Sequence, residues 1–198
     1  MRTKELVIIA GANGSGKTTF ARLFQKSFPF DFVNADEIIK EINPAGIEKS
    51  RVKAGKIFFA QIHKNIQANN NLIIESTLSG RTLVNFIKKV KHKGYFVKII
   101  YIFLETPGLC IQRIKERVLK GGHYVPDDDV VRRFYRSKEN FWNLYKKLAD
   151  SWFLIYNSQQ QFIEIALGSK DSYFVNDEEL FTNFIKDIKE WKNEGQEI

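Results

Sequence analysis

The chain has 198 residues, 43% of them hydrophobic, with 31 Lys and Arg against 23 Asp and Glu, giving a formal net charge of +8. That length supports one domain, residues 1–198, and is short for two; no apolar run reaches the length of a bilayer span, and the single Cys110 excludes an internal disulfide framework and a cysteine-rich metal site. The positive balance suits polyanionic ligands, and the cysteine usage suits a reducing compartment, so the cytoplasm is the expected location.

Leu6 to Ala10 is an apolar run that reads as a buried strand and is too short to be the core of a secretory signal. Directly after it, Gly11-Ala12-Asn13-Gly14-Ser15-Gly16-Lys17-Thr18 fits G-x-x-x-x-G-K-[ST], and Thr18-Thr19-Phe20-Ala21 opens a helix ending near Pro29. Glycines at this spacing let successive N–H groups turn inward around a phosphate, and the helix N-terminus adds partial positive charge. Lys17 can reach the β- and γ-phosphates, and the Thr18 hydroxyl can ligate Mg²⁺. The motif in this setting implies a bound nucleoside triphosphate.

Phe32 to Asn34 reads as a second strand, which sets Asp36 beyond a strand's carboxyl end, the edge where open α/β sheets hold ligands. Asp36 also precedes an apolar-periodic segment, so a helix N-cap is the other job open to it. Residues 47 to 68 read as one long helix with a basic solvated side, on which His63 is structural or exposed. Leu72 to Ile74 forms a third strand delivering Glu75-Ser76-Thr77 to its carboxyl end. There a carboxylate suits a group acting on Mg²⁺, its waters or the substrate; the alternative is a helix-start residue paired with a lysine.

Residues 79 to 93 read as a helix stopped by Gly94, and Tyr95 to Leu104 as a fourth strand. Pro107 opens a helix with Arg113 and Arg117 on one face, ending at Gly121-Gly122-His123. Asp127-Asp128-Asp129 starts another, with Arg132, Arg133 and Arg136. Two helices around a Gly-Gly-His turn, about residues 107–140, suit a mobile lid that brings guanidinium groups to a γ-phosphate, although any single arginine can also be a solvated surface cation. Trp152 to Asn157 reads as the fifth strand; an edge hairpin and an amphipathic helix follow over about 160–192. Strands alternating with helices predict an α/β fold of the doubly wound P-loop type, a mainly parallel five-stranded sheet with helices on both faces.

Several of these segments together resemble the zeta toxin family of P-loop kinases. They are Gly11 to Thr19, Asn34-Ala35-Asp36-Glu37, Glu75-Ser76-Thr77-Leu78, Gly121-Gly122-His123-Tyr124-Val125-Pro126 with Arg132-Arg133, and Tyr156-Asn157-Ser158. The resemblance implies transfer of the γ-phosphate of ATP to the 3′-hydroxyl of UDP-N-acetylglucosamine, with Mg²⁺, and a separately encoded antitoxin as partner. It makes Asp36 the base, Lys17 the phosphate-loop lysine and Arg117 a contact to the transferring phosphate. Nucleotide is then held by Gly11 through Thr19 and Asn157, and acceptor by Asp36, Glu75, Thr77, His123 and Arg132. The lid is shorter than in the well-known toxins and His123 stands where a second lid arginine is expected, so Arg133 takes that role, with Arg132 next. Tyr156 stands where small relatives carry Asp. Another small-molecule or nucleotide kinase, a nucleic-acid 5′-hydroxyl kinase and a non-catalytic nucleotide-binding module are the rival readings. The scattered basic residues, without interleaved aromatics, speak against nucleic acid.

Overall fold

The computed structural model describes residues 4–42, 50–122, 124–158 and 161–194. Its organising strand is β1 (Lys4–Ala10), whose residues Leu6 to Ala10 are fully buried because helices cover both sheet faces. The period of two sends Leu6, Ile8 and Ala10 to one core and Val7 and Ile9 to the other, which explains why the strand is apolar throughout rather than alternating.

The phosphate loop leads into α1 (Lys17–Ser27), followed by β2 (Asp31–Val33), α2 (Ala35–Ile42), α3 (Ser50–Gln67) and β3 (Leu72–Ser76). The chain goes on through α4 (Thr82–His92), β4 (Tyr95–Phe103), α5 (Pro107–Leu119) and α6 (Asp127–Asn140). A π-helical turn over Phe141–Tyr145 and the short α7 (Lys146–Leu148) continue the same rod before β5 (Ser151–Ser158). A hairpin, β6 (Gln161–Ser169) and β7 (Ser172–Val175), and α8 (Glu178–Glu194) follow. The long helix expected from residue 47 thus runs from Ser50, its first expected residues lying outside the described ones. None of the helices among the described residues is long and apolar enough to cross a membrane.

The strand order is β2-β3-β1-β4-β5-β6-β7. The first five strands pair in parallel, as expected, with Leu6 beside Leu72 on one side of β1 and Lys4 beside Tyr95 on the other. The hairpin does not form a separate layer: β6 pairs antiparallel with β5 and β7 with β6, so the sheet has seven strands. Trp152, Leu154 and Tyr156 of β5 pack in the same core as Ile165 and Ala166 of β6, and this shared apolar face draws the hairpin onto the sheet edge. β1, β3 and β4 carry the chain in opposite lateral directions from the centre, and the crevice at their carboxyl ends is where a doubly wound sheet opens to ligand.

Candidate functional site

At the end of β1 the backbone turns through Gly11, with φ of +140°, and Gly16, with φ of +97°. A Cβ at Gly11 would lie 2.0 Å from the Ile102 carbonyl oxygen, and one at Gly16 would lie 2.3 Å from Asn157 Nδ2. Glycine is required here both by the left-handed backbone and by the neighbours. The Ser15 N–H closes the turn on the Ala12 carbonyl at 3.2 Å, and α1 starts at Lys17, so the loop leads directly into a helix N-terminus, an arrangement that suits an anion. Asn157, buried at the end of β5, donates from Nδ2 to the Ser15 carbonyl at 2.8 Å and clasps the loop from behind.

Lys17 folds over the loop and donates to the Ala12 carbonyl at 2.8 Å. Burial holds its pKa below the ordinary lysine value, opposed by the carboxylates of Glu75 and Asp36. Beside it, Thr18 Oγ1 donates to Glu75 Oε2 at 3.0 Å and Asn34 Nδ2 to Glu75 Oε1 at 2.9 Å. Burial raises the Glu75 carboxyl above the usual range, while Lys17 and the Thr18 hydroxyl pull it back. A hydroxyl and a carboxylate this close to a phosphate grip are hard oxygen donors, and they fit Mg²⁺, which completes its shell with phosphate oxygens and water. Among the described residues there is no group of three or more His, Cys, Asp and Glu that could hold a metal ion.

The geometry answers the double reading of Asp36. The Asn34 side-chain oxygen accepts the Asp36 N–H at 2.8 Å, so Asn34 caps α2 and the Asp36 carboxylate is left to line the cavity. That cavity, of about 840 Å³, is walled by Lys17, Thr18 and Thr19 on one side and by Asp36, Glu75 and Thr77 on another. Arg113, Arg117 and Lys120 of the α5 end and Arg133 of α6 form its cationic roof. Arg113 donates to the Asn157 carbonyl at 3.3 Å; Arg133 donates to Asn13 Oδ1 at 3.3 Å and to Asp129 at 3.0 Å.

The structure therefore gathers Lys17, Thr18, Asp36, Glu75, Thr77, Arg117, Arg133 and Asn157 around one space. Gly11, Ala12 and Ser15 shape the loop from within, whereas Asn13, Gly14, Gly16 and Thr19 reach the cavity wall. Arg132 is absent from that wall: it is half-exposed and pairs with Asp129 at 2.5 Å, one helix turn back. His123 lies outside the described residues. Sequence reasoning missed Asn34, Glu37 and Phe162 as cavity residues, and Arg113, read only as one of the lid arginines, joins them in the lining. Asn34, directly before Asp36, carried a visible cap signal; Phe162, arriving from β6 to pack on Phe20 with ring centroids 5.0 Å apart, carried none.

A mainly parallel sheet with this loop, an opposing pair of carboxylates and an arginine roof defines a P-loop phosphotransferase. The chain belongs to the zeta toxin family, whose sequence model matches residues 1–165. A protein of Haemophilus influenzae described as uncharacterized is 32% identical over 128 residues, covering 65% of this chain and 91% of that protein. The toxin PezT of Streptococcus pneumoniae is 32% identical over 112 residues, which are 48% of this chain and 43% of that protein, so the match spans less than half of the toxin. The fold is shared with the PezAT toxin–antitoxin system of that organism at a TM-score of 0.65 and 17% identity, over 96% of this chain and 88% of that one. It is also shared with AvrRxo1-ORF1:-ORF2 with ATP at 0.69 and 15% identity, over 92% of this chain and 63% of that one.

Proposed function

We propose that the protein transfers the γ-phosphate of ATP to a hydroxyl of a small acceptor. The observation that carries this reading is that Asp36 lines the same cavity as Lys17, Arg117 and Arg133. A nucleotide-binding module has no use for a carboxylate opposite its phosphate loop, whereas a kinase needs a group there to take the acceptor's proton. The AvrRxo1 structure with ATP supports ATP as donor.

In this reading the loop amides and Lys17 hold the β- and γ-phosphates and cancel charge on them. Asp36 orients the acceptor hydroxyl and takes its proton as that oxygen bonds to the γ-phosphorus and the bond to the β-phosphate oxygen breaks, leaving ADP. Arg117 and Arg133 balance the charge on the phosphoryl group in flight. Thr18, with Glu75 beside it, would hold Mg²⁺, which would supply further neutralisation of the triphosphate. Phe162 brings the C-terminal hairpin to the same cavity, which supports a single kinase domain that includes the hairpin. UDP-N-acetylglucosamine is the first acceptor to test, from the family resemblance. The PezAT structure is described as that of a toxin–antitoxin system, which supports a separately encoded antitoxin as partner.

The experiment is phosphorus or mass detection of product from ATP, Mg²⁺ and a panel of UDP-N-acetylglucosamine, nucleosides and 5′-hydroxyl oligonucleotides. Lys17→Ala abolishes turnover. Asp36→Asn keeps ATP binding and loses transfer by about a hundredfold or more, the worth of a positioned base. Full transfer by Asp36→Asn removes the base assignment; a parent chain that phosphorylates nothing in the panel removes the kinase reading.

A further inference from the structure

The loop after β3 supplies Thr77 to the acceptor wall and then runs through Leu78, a buried leucine with φ of +53°, a conformation that L side chains rarely adopt. A backbone of this kind persists only when its surroundings impose it, and here one helix does. Ser137 donates to the Thr77 carbonyl, Asn140 Nδ2 donates to the Leu78 carbonyl at 2.8 Å, and Tyr145 donates to the Gly80 carbonyl at 2.6 Å. Ser137 has a single hydroxyl proton and spends it on a carbonyl, so the buried Tyr101 hydroxyl, 2.7 Å away, is the donor to Ser137. The result is a one-way chain, Tyr101 to Ser137 to Thr77.

Arg133, Ser137 and Asn140 stand at spacings of four and then three, so they form one stripe along α6. The upper end of the stripe touches the phosphate loop through Asn13, and the lower end grips the acceptor loop. An α-helix would bring Leu144 next onto this stripe. The π-helical turn over Phe141–Tyr145 inserts one residue and brings Tyr145 there instead, which is how the grip extends to Gly80.

Resting on the transfer reaction proposed above, we propose that Ser137 and Asn140 are positioning residues: they hold the loop of residues 77–80, and thereby the acceptor, at a set separation from Arg133. The helix that carries a phosphate-facing arginine is also the ruler against which the acceptor wall is placed.

The test uses the full chain with ATP and whichever of UDP-N-acetylglucosamine, a nucleoside or a 5′-hydroxyl oligonucleotide the parent chain phosphorylates. Ser137→Ala removes the hydroxyl, and Asn140→Asp is isosteric but cannot donate. Both variants are expected to bind ATP within about twofold of the parent by titration, while the acceptor KM rises by about tenfold or kcat falls by as much, the scale of a sub-ångström misplacement. Ser137→Thr, which restores the donor, recovers most of the loss. An unchanged acceptor KM and kcat in both variants overturns the assignment. So does a parallel loss of ATP affinity, the mark of general loosening. Asn140 is only half-buried, so its variant decides the matter if Ser137→Ala does not fold. A parent chain that phosphorylates none of the probes overturns the transfer reading and this inference together, and that result is read without any variant.

Discussion

Glu75 and Lys17 are opposite in charge and alike in what burial does to them. Burial drives both the glutamate and the lysine towards their neutral forms, and each pulls the other back towards its charged form. Because the folded Glu75 carboxyl titrates above its unfolded value, its contribution to stability is fully present below pH 4.5 and is lost as pH rises through the raised value. Glu75→Gln lacks that titration. The Tm of Glu75→Gln minus that of the parent is therefore expected to grow as pH rises upward from 4.5, with transfer activity reduced; thermal unfolding over a pH series checks it. A difference that shrinks with rising pH shows that Glu75 is stabilised as the anion. Lys17 was legible as a cavity candidate from the loop motif, and Asp36 and Glu75 from lying just beyond and at the carboxyl ends of strands. The Asn34 bond to Glu75, spanning 41 residues, was not.

At the scale of elements, the turn between α5 and α6 does more than reverse the chain. The Gly122 N–H donates to the Arg117 carbonyl at 2.9 Å, and a Cβ on Gly122 would meet Arg117 Cγ at 2.4 Å and its carbonyl oxygen at 2.8 Å. Gly122→Ala must displace the backbone or side chain of Arg117. A loss in kcat of up to about a hundredfold is expected, with ATP affinity little changed, measured by steady-state kinetics and nucleotide titration. An unaltered kcat means that the arginine roof tolerates such a shift. The glycine pair marked this turn in the sequence. What the sequence did not display is that the far end of α6 is tied to the acceptor loop across 60 residues.

For the whole molecule, α8 lies beyond the stretch matched by the family, yet it is bound to α6, one of the helices that line the cavity. Lys138 of α6 is buried over the Phe134 ring at 4.0 Å, and Asp187 of α8 neutralises it. Burial lowers the lysine's pKa and Asp187 raises it, so the ion pair is what keeps a charge in that apolar setting. Tyr135 and Trp191 stack in parallel beside it, ring centroids 5.1 Å apart. Asp187→Ala strands the ammonium and is expected to cost about 3–5 kcal/mol of stability in denaturant or thermal unfolding. Adding Lys138→Met to that variant recovers much of the loss. If the double variant is no more stable than Asp187→Ala, the cost lies elsewhere in α8.

The sequence by itself determined the phosphate loop, the alternation of strands with helices and the acidic residues just after β2 and at the end of β3, because glycine spacing, apolar periodicity and strand ends are local properties of the chain. It also carried the family resemblance, through short motifs. Only the tertiary structure decided that Asn34 rather than Asp36 caps α2, that Arg133 rather than Arg132 faces the cavity, and that the hairpin joins the sheet and brings Phe162 to the nucleotide loop. Each of these depends on which side chains meet across the sheet and the helix rod. Packing sets such meetings between residues far apart in the chain, and no local pattern encodes them.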